Sequence, residues 1–186
     1  MRSTFKSFLK DFAKILFGTG RTATGRSESA YSAALTLWRV ELAAQIARVP
    51  WDKYRTGFPP DANVATVLEQ LLFGTEHQAV EAVKDLHSGL CHQDVEVDSA
   101  ALPCLPFLLL AFEHASENLA LYLLDFMRRL ITTEASASDP SRNEWAPLLR
   151  STFGASAPNF TPYLNHPNLE IRKYAEDILR ELEKIT

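Results

Sequence analysis

The chain has 186 residues, of which 46% are hydrophobic and 23% are charged, a composition typical of one soluble globular domain and not of a disordered chain. No apolar run approaches the roughly 18 residues that a membrane-spanning helix requires. The net charge of −4 is unevenly distributed, because residues 1–26 carry six basic side chains and one acidic side chain, which leaves −9 on the other 160 residues. We call these 160 residues the acidic body. Their charge argues against nucleic-acid binding, which depends on a basic patch, and favours a protein partner with a basic surface.

The first predicted element is a basic amphipathic helix over residues 4–17. Its lysines, Lys6, Lys10 and Lys14, recur every four residues opposite an apolar face. The residues of that apolar face are Phe5, Phe8, Leu9, Phe12, Ile15 and Leu16. Three interpretations stay open: a terminal helix that caps the apolar end of a helical stack, a helix that lies on a membrane surface, and a targeting peptide.

A linker rich in glycine, serine and threonine follows, so we divide the chain into residues 1–28 and a helical domain of residues 29–186. The domain opens with a long helix that Pro50 ends, because the residue before a proline disfavours the helical region. The next helix is capped by Asp61 or Asn63, whose side chains accept hydrogen bonds from the first free amides.

Gly74 and Thr75 predict a tight helical hairpin. Gly74 stands where a left-handed residue ends a helix, and Thr75 opens a capping box with Gln78. Because one helix ends and the next begins within these two residues, the two helices are expected to lie antiparallel. A second hairpin follows, in which residues 100–112 are apolar on every side and predict a fully buried helix, and Ser116 caps the partner helix.

The last part of the chain predicts three further helices. Ser141 and Glu144 have the spacing of a capping box. The three tryptophans are expected in the core, and of these Trp145 is the one most expected to be partly exposed. Near the C-terminus, a short helix is followed by a longer one that carries Ile171-Arg172 near its start and Ala175 one turn later. This pattern resembles the HEAT repeat, a helical hairpin of about 40 residues that stacks into an α-solenoid.

In HEAT repeats, an acidic turn residue and an arginine help to tie neighbouring repeats. Arg172 matches that arginine, whereas Asn168 stands near the position where an aspartate is usual. The segment from Trp51 to Leu130 also resembles a group of bacterial HEAT-like proteins. The shared features are Trp51-Asp52, the helix from Leu68 to Leu71, His92-Gln93 at the turn between helix pairs, and Pro106-Phe107-Leu108. The resemblance implies an all-α fold, a short HEAT-like α-solenoid of stacked antiparallel helix pairs.

No motif in the sequence predicts catalysis, since nucleophile-elbow, zinc-protease, P-loop and dinucleotide-binding patterns are missing. A calcium loop beginning at Asp94 would need glycine at its sixth position and glutamate at its twelfth, which are Ser99 and Leu105. Cys91 and Cys104 form no CxxC pair and are typical of buried thiols in a reducing compartment. We therefore expect a cytoplasmic protein that is not an enzyme and holds neither a cofactor nor a metal.

The expected function is the binding of another protein. Acidic side chains of the first two helix pairs are expected to form one partner-binding cluster, because stacked repeats place corresponding positions side by side. These acids are Glu81, Asp85, Asp94, Glu96, Asp98, Glu113 and Glu117. Resemblance and charge favour an immunity protein that neutralises a bacterial toxin by direct binding. The alternatives are a membrane-associated adaptor that uses residues 4–17 and a HEAT-like DNA-base glycosylase, which the acidic body disfavours.

Overall fold

A computed structural model describes residues 28–58, 63–92, 96–135 and 139–184. The chain divides into two compact units, Met1–Val40 and Glu41–Thr186. The predicted amphipathic helix at residues 4–17 and the predicted partner-binding residue Asp94 lie outside the described residues.

The described residues are mostly helical, which confirms the predicted all-α class. The α-helices are α1 (Glu28–Ala47), α2 (Val64–Phe73), α3 (Glu76–Leu90), α4 (Ala101–Glu113), α5 (Glu117–Thr132), α6 (Arg142–Gly154), α7 (Ala157–Phe160) and α8 (Leu169–Glu183). Among the residues that the structure describes, Trp51–Lys53 and Thr161–Asn165 form short 3₁₀ helices. None of the described helices is both long enough and apolar enough to cross a membrane.

Within the described part of the chain, three strands of two residues each join the C-terminal ends of α3 and α5. They are β1 (Cys91–His92), β2 (Glu96–Val97) and β3 (Glu134–Ala135). β1 pairs antiparallel with β2, and β2 pairs parallel with β3. Because β1 directly follows α3 and β3 comes two residues after α5, the C-terminal ends of these two helices lie at the same end of the fold.

The helices of the second unit contact one another in two rows. The hairpin partners are α2 with α3 and α4 with α5, and α6 contacts α8. Along one row α2 contacts α4 and α4 contacts α6, and along the other row α3 contacts α5 and α5 contacts α8. Helix α4 therefore lies between α2 and α6 and against α5, which explains why most of its residues are apolar. The prediction of a fully buried helix is wrong for one side of α4, because Leu102, Pro103, Pro106 and Leu109 are only half-buried. Its buried residues are Ala101, Cys104, Leu105, Phe107, Leu108, Leu110, Ala111 and Phe112.

The hairpin between α2 and α3 turns within two residues, as the sequence predicts. The Thr75 hydroxyl accepts from the Gln78 amide at 3.3 Å, and the Gln78 side chain accepts from the Thr75 amide at 2.8 Å, which confirms the capping box. Gly74, however, has a φ of −73° and is not left-handed. It is required for space, because an added Cβ would collide with the carbonyl oxygen of Gln70 and lie 2.9 Å from the Gln78 Cβ.

Two further predicted helix caps are confirmed, and one is wrong. Asn63, of the two candidates, accepts from the Ala65 amide at 2.8 Å, and Ser116 accepts from the Leu119 amide at 3.2 Å. Ser141 occupies the N-cap position of α6 without a capping hydrogen bond. Its hydroxyl instead donates to Asp139, a residue outside the local pattern that a capping box describes.

Candidate protein-binding face

Helices α3, α5 and α8 begin side by side, and side chains at their first residues connect them. The N-cap of α5, Ser116, donates to Glu76 Oε1 of α3 at 2.5 Å. The N-cap of α8, Asn168, donates to Glu117 Oε1 of α5 at 3.3 Å. In both bonds an N-cap residue reaches the first glutamate of the preceding helix, so the three helices lie parallel and in register. Asn168, which departs from the HEAT pattern, thus still links two neighbouring helices.

This register places two tyrosines at equivalent positions. Tyr122 is the sixth residue after its N-cap Ser116, and Tyr174 is the sixth residue after its N-cap Asn168. Tyr122 is 36% exposed, and Tyr174 is partly buried. The equivalent residue of α3 is Glu81, which is exposed.

Each tyrosine carries a cation from the preceding helix over its ring. The Lys84 Nζ lies 5.4 Å from the centre of the Tyr122 ring, and the Arg128 Cζ lies 5.2 Å from the centre of the Tyr174 ring. Such cation–π contacts are attractive, because the face of an aromatic ring carries negative charge. We call the surface formed by Glu81, Lys84, Tyr122, Asp125, Arg128 and Tyr174 the tyrosine face.

Ion pairs hold the basic side chains of the tyrosine face in place. Lys84 Nζ lies 2.7 Å from Glu81 Oε1, and Arg128 Nη2 lies 2.7 Å from Asp125 Oδ1. The hydrogen bond from Lys84 lowers the pKa of Glu81, and the same bond raises the pKa of Lys84. Burial raises the pKa of Tyr174, and the charges of Asp125 and Glu170 raise it further. The tyrosine therefore stays a neutral hydrogen-bonding group at physiological pH.

The predicted acidic cluster is divided between two ends of the fold. Glu113 and Glu117 are exposed at the turn between α4 and α5, near the N-terminal ends of α3 and α5. Glu96 lies on β2, beyond the C-terminal end of α3. A 15-residue helix such as α3 is about 22 Å long, so these acids do not form one cluster. Glu81 and Asp85 are exposed on α3 between the two ends.

Asp98 is not a surface residue, and the prediction that it contacts a partner was wrong. Its side chain is fully buried, and its Oδ1 lies 3.2 Å from Nε of Arg55. The backbone of Arg55 also donates to the Ser99 hydroxyl at 2.9 Å and accepts from the Ala100 amide at 3.1 Å. Asp98 therefore anchors the segment before α2 to the segment before α4. It does not cap α4, whose N-cap position is held by Ala100.

A second buried acid, Asp139, orders the start of α6. Its Oδ1 accepts from the amide of Ser141 at 2.9 Å and from the hydroxyl at 2.7 Å, and its Oδ2 accepts from Nε1 of Trp145 at 2.9 Å. Trp145 is only 5% exposed, whereas Trp38 and Trp51 are half-buried, so the expectation that Trp145 is the most exposed of the three tryptophans was wrong. Burial raises the pKa of Asp139, but these hydrogen bonds and the charge of Arg55 outweigh burial and lower the pKa overall.

The two buried acids have structural roles, and the described residues offer no arrangement for metal binding. No three His, Cys, Asp or Glu side chains within the described ranges are placed to hold a metal ion. Both cysteines are buried, and burial raises the pKa of Cys104 far above its ordinary value, which keeps that thiol protonated and a poor nucleophile.

Seven residues of these sites were not identified from the sequence as site residues: Arg55, Lys84, Tyr122, Asp125, Arg128, Asp139 and Tyr174. The two tyrosines could have been found by aligning the helices on their N-cap residues, which puts both at the same position. No sequence signal indicates that Arg55 pairs with the buried Asp98, because the two residues lie on segments that only the packing of the helices brings together.

Comparison of the chain with protein families, with curated proteins and with solved structures finds no match. The resemblance to HEAT repeats therefore rests on the residues of this chain alone.

Proposed function

We propose that this protein is a non-enzymatic binding module, built as a short α-solenoid of three stacked helix pairs, that holds another protein on its tyrosine face. The pairs are α2 with α3, α4 with α5, and α6 with α8. Three repeats are about the minimum for a stable stack. The sequence between the N-caps Ser116 and Asn168 is longer than the sequence between the N-caps Thr75 and Ser116. The additional residues form α7 and the second 3₁₀ helix.

The observation that carries the proposal is the pair of equivalent tyrosines, Tyr122 and Tyr174, on parallel neighbouring helices. Tyrosine and arginine are enriched at the centres of protein interfaces, because each combines a large contact area with hydrogen-bonding groups. Here the cations already lie over the rings, and ion pairs hold the cations. Such a surface loses little side-chain entropy on binding, which favours affinity.

The stack offers a basic partner an acidic edge beside the tyrosine face. Glu76, Glu113, Glu117 and Glu170 are all exposed near the N-terminal ends of α3, α5 and α8. Two of them, Glu113 and Glu117, belong to the acids expected from the sequence to contact a partner. Opposite charge at the rim of an interface raises the association rate and selects against acidic partners.

The narrower proposal is an immunity protein that neutralises a bacterial toxin by direct binding. Its support is the resemblance to bacterial HEAT-like proteins and the −9 charge after residue 26. Co-expression with the product of the adjacent coding sequence tests it. Restored growth in the presence of an otherwise toxic product supports this role, and growth inhibition that the protein does not relieve contradicts it.

Site-specific photo-crosslinking tests the binding face directly. A benzophenone side chain replaces Tyr122 in one sample and Leu148 in a control sample, since Leu148 is 49% exposed on α6, in the other row of helices. A discrete adduct with one protein from position 122, and none from position 148, supports the proposal. Adducts only from position 148 would place the interface on the opposite row.

Alanine variants then measure the contribution of the tyrosines to the crosslinked complex. Tyr122→Ala with Tyr174→Ala is expected to weaken binding by about 2 kcal/mol or more, a roughly thirtyfold rise in Kd. Leu148→Ala is the control and should leave Kd unchanged. An unchanged Kd in the tyrosine double variant would contradict the proposed face.

A further inference from the structure

One side of α4 is apolar although it is not fully buried. Its residues are Leu102, Pro103, Pro106 and Leu109, which recur at the three- and four-residue spacing of a single helix face. Before its last residue, Glu113, α4 carries no charged side chain. A helix face in contact with water normally carries polar residues, so these four residues indicate a surface that another element covers. We call them the apolar stripe.

The neighbouring helices α2 and α6 can be aligned with α4 by counting back from the last residue of each helix. The position five residues before the end is a buried leucine in all three helices, namely Leu68, Leu108 and Leu149. The position four residues before the end is open to solvent in all three, since Glu69 and Arg150 are exposed and Leu109 is half-buried. At this level the row therefore has an apolar centre, an acidic flank on α2 and a basic flank on α6.

This charge pattern is complementary to itself. A two-fold axis parallel to α4 brings the apolar stripe of one copy onto the apolar stripe of a second copy. The same rotation places α2 of each copy opposite α6 of the other copy, at the same height. Glu69 then faces Arg150 of the second copy, and the symmetry forms this ion pair twice. An apolar centre with complementary charges at the rim is the usual organisation of a protein interface.

We propose that the protein forms a homodimer through the solvent-facing side of α2, α4 and α6. A second copy is the occupant that the charges favour, because it satisfies both flanks at once through opposite charges that the chain itself supplies. The tyrosine face belongs to the other row of helices, so each copy in the dimer keeps its own tyrosine face accessible. The inference therefore goes beyond the proposed partner-binding function and does not depend on it.

Sedimentation velocity of the intact chain tests the proposal. A reversible monomer–dimer equilibrium is expected between about 1 and 300 µM, the range in which weak homodimers dissociate. Glu69→Arg and Arg150→Glu each convert both attractive pairs into like-charge pairs, so each should raise the dimer dissociation constant about tenfold. The double variant Glu69→Arg with Arg150→Glu restores opposite charges and should recover the original dissociation constant. Both side chains are exposed, so the circular dichroism spectrum should be the same in all four proteins.

Glu176→Arg and Lys173→Glu are the matched controls, since both residues are exposed on α8 and these changes alter the net charge by the same amounts. Neither should change the dissociation constant. A monomer over the whole concentration range would overturn the proposal. A dimer that neither Glu69→Arg nor Arg150→Glu weakens would overturn this surface as the interface. Single variants that weaken the dimer, together with a double variant that does not recover it, would overturn the opposition of α2 and α6.

Discussion

Arg55 Nε lies 3.2 Å from Oδ1 of Asp98, and this ion pair joins the segment before α2 to the segment before α4. Asp98 is fully buried, whereas the side chain of Arg55 is 44% exposed. The backbone bonds of Arg55 to Ser99 and Ala100 run alongside the pair. A charge removed from water in this way depends on its partner, so the pair constrains the path of both segments.

Arg55→Met should destabilise the fold by about 1–3 kcal/mol, because it leaves the Asp98 carboxylate buried without its cation. The partial exposure of Arg55 keeps this figure below the cost of breaking a fully buried pair. Urea unfolding of the single variants and of Arg55→Met with Asp98→Asn measures the coupling. The double variant should lose less stability than the two single losses added, and strict additivity would show that the pair does not couple the two segments.

Asp139→Asn should make the free energy of unfolding depend less on pH in the acid range. The pKa of Asp139 is lowered in the folded protein, so its stabilising contribution is fully present above the unfolded value of about 3.9. That contribution is lost as the pH falls through the lower folded pKa. Urea unfolding should therefore show Asp139→Asn less stable than the unaltered chain at pH 7, with a smaller difference near pH 3. A constant difference between the two pH values would contradict the assignment.

Gly89→Ala should destabilise the protein although alanine is the better helix former. An added Cβ on Gly89 would collide with the ring of Phe58, which belongs to the segment that precedes α2. Displacing that ring is expected to cost about 1–3 kcal/mol. The carbonyl of Gly89 accepts from the Gly57 amide at 2.8 Å and from the Thr56 hydroxyl at 3.2 Å, so this segment is held closely against α3.

The sign of the Gly89 effect should reverse when Phe58 is removed. In a Phe58→Ala background no ring opposes the new Cβ, and alanine should then stabilise the helix by up to about 1 kcal/mol. Chemical denaturation of the four proteins in this cycle provides the measurement. Destabilisation by Gly89→Ala in both backgrounds would mean that the backbone, and not the Phe58 ring, limits the space.

Ser116→Ala should cost about 1–2 kcal/mol, because Ser116 both caps α5 and donates to Glu76 of α3. Thr75→Ala is a suitable comparison, since Thr75 caps α3 within its own capping box. In a cycle with Glu76→Ala, Ser116 should show a coupling of about 0.5–1 kcal/mol, whereas Thr75 should show none. Thermal unfolding measures both couplings, and equal couplings would show that the Ser116 to Glu76 bond does not tie the two helices.

Local patterns in the sequence were enough to place most of the helices. The Thr75 and Gln78 capping box, the Ser116 cap and the apolar run that becomes α4 each depend on residues within one or two turns of each other. Such interactions depend only on the geometry of the helix itself. The capping-box pattern was misleading at Ser141, whose hydroxyl donates to Asp139, two residues earlier, instead of capping α6.

The sequence by itself determined the helical class, the acidic body and the tight turn at Gly74 and Thr75. Only the tertiary structure decided which acids are exposed. Asp98 is buried against Arg55, whereas Glu113 and Glu117 lie exposed beside the first residues of three parallel helices. The physical reason is that these contacts join segments some forty residues apart, and only the stacking of whole helices brings such residues together. The two-residue strands and the alignment of Tyr122 with Tyr174 follow from the same stacking.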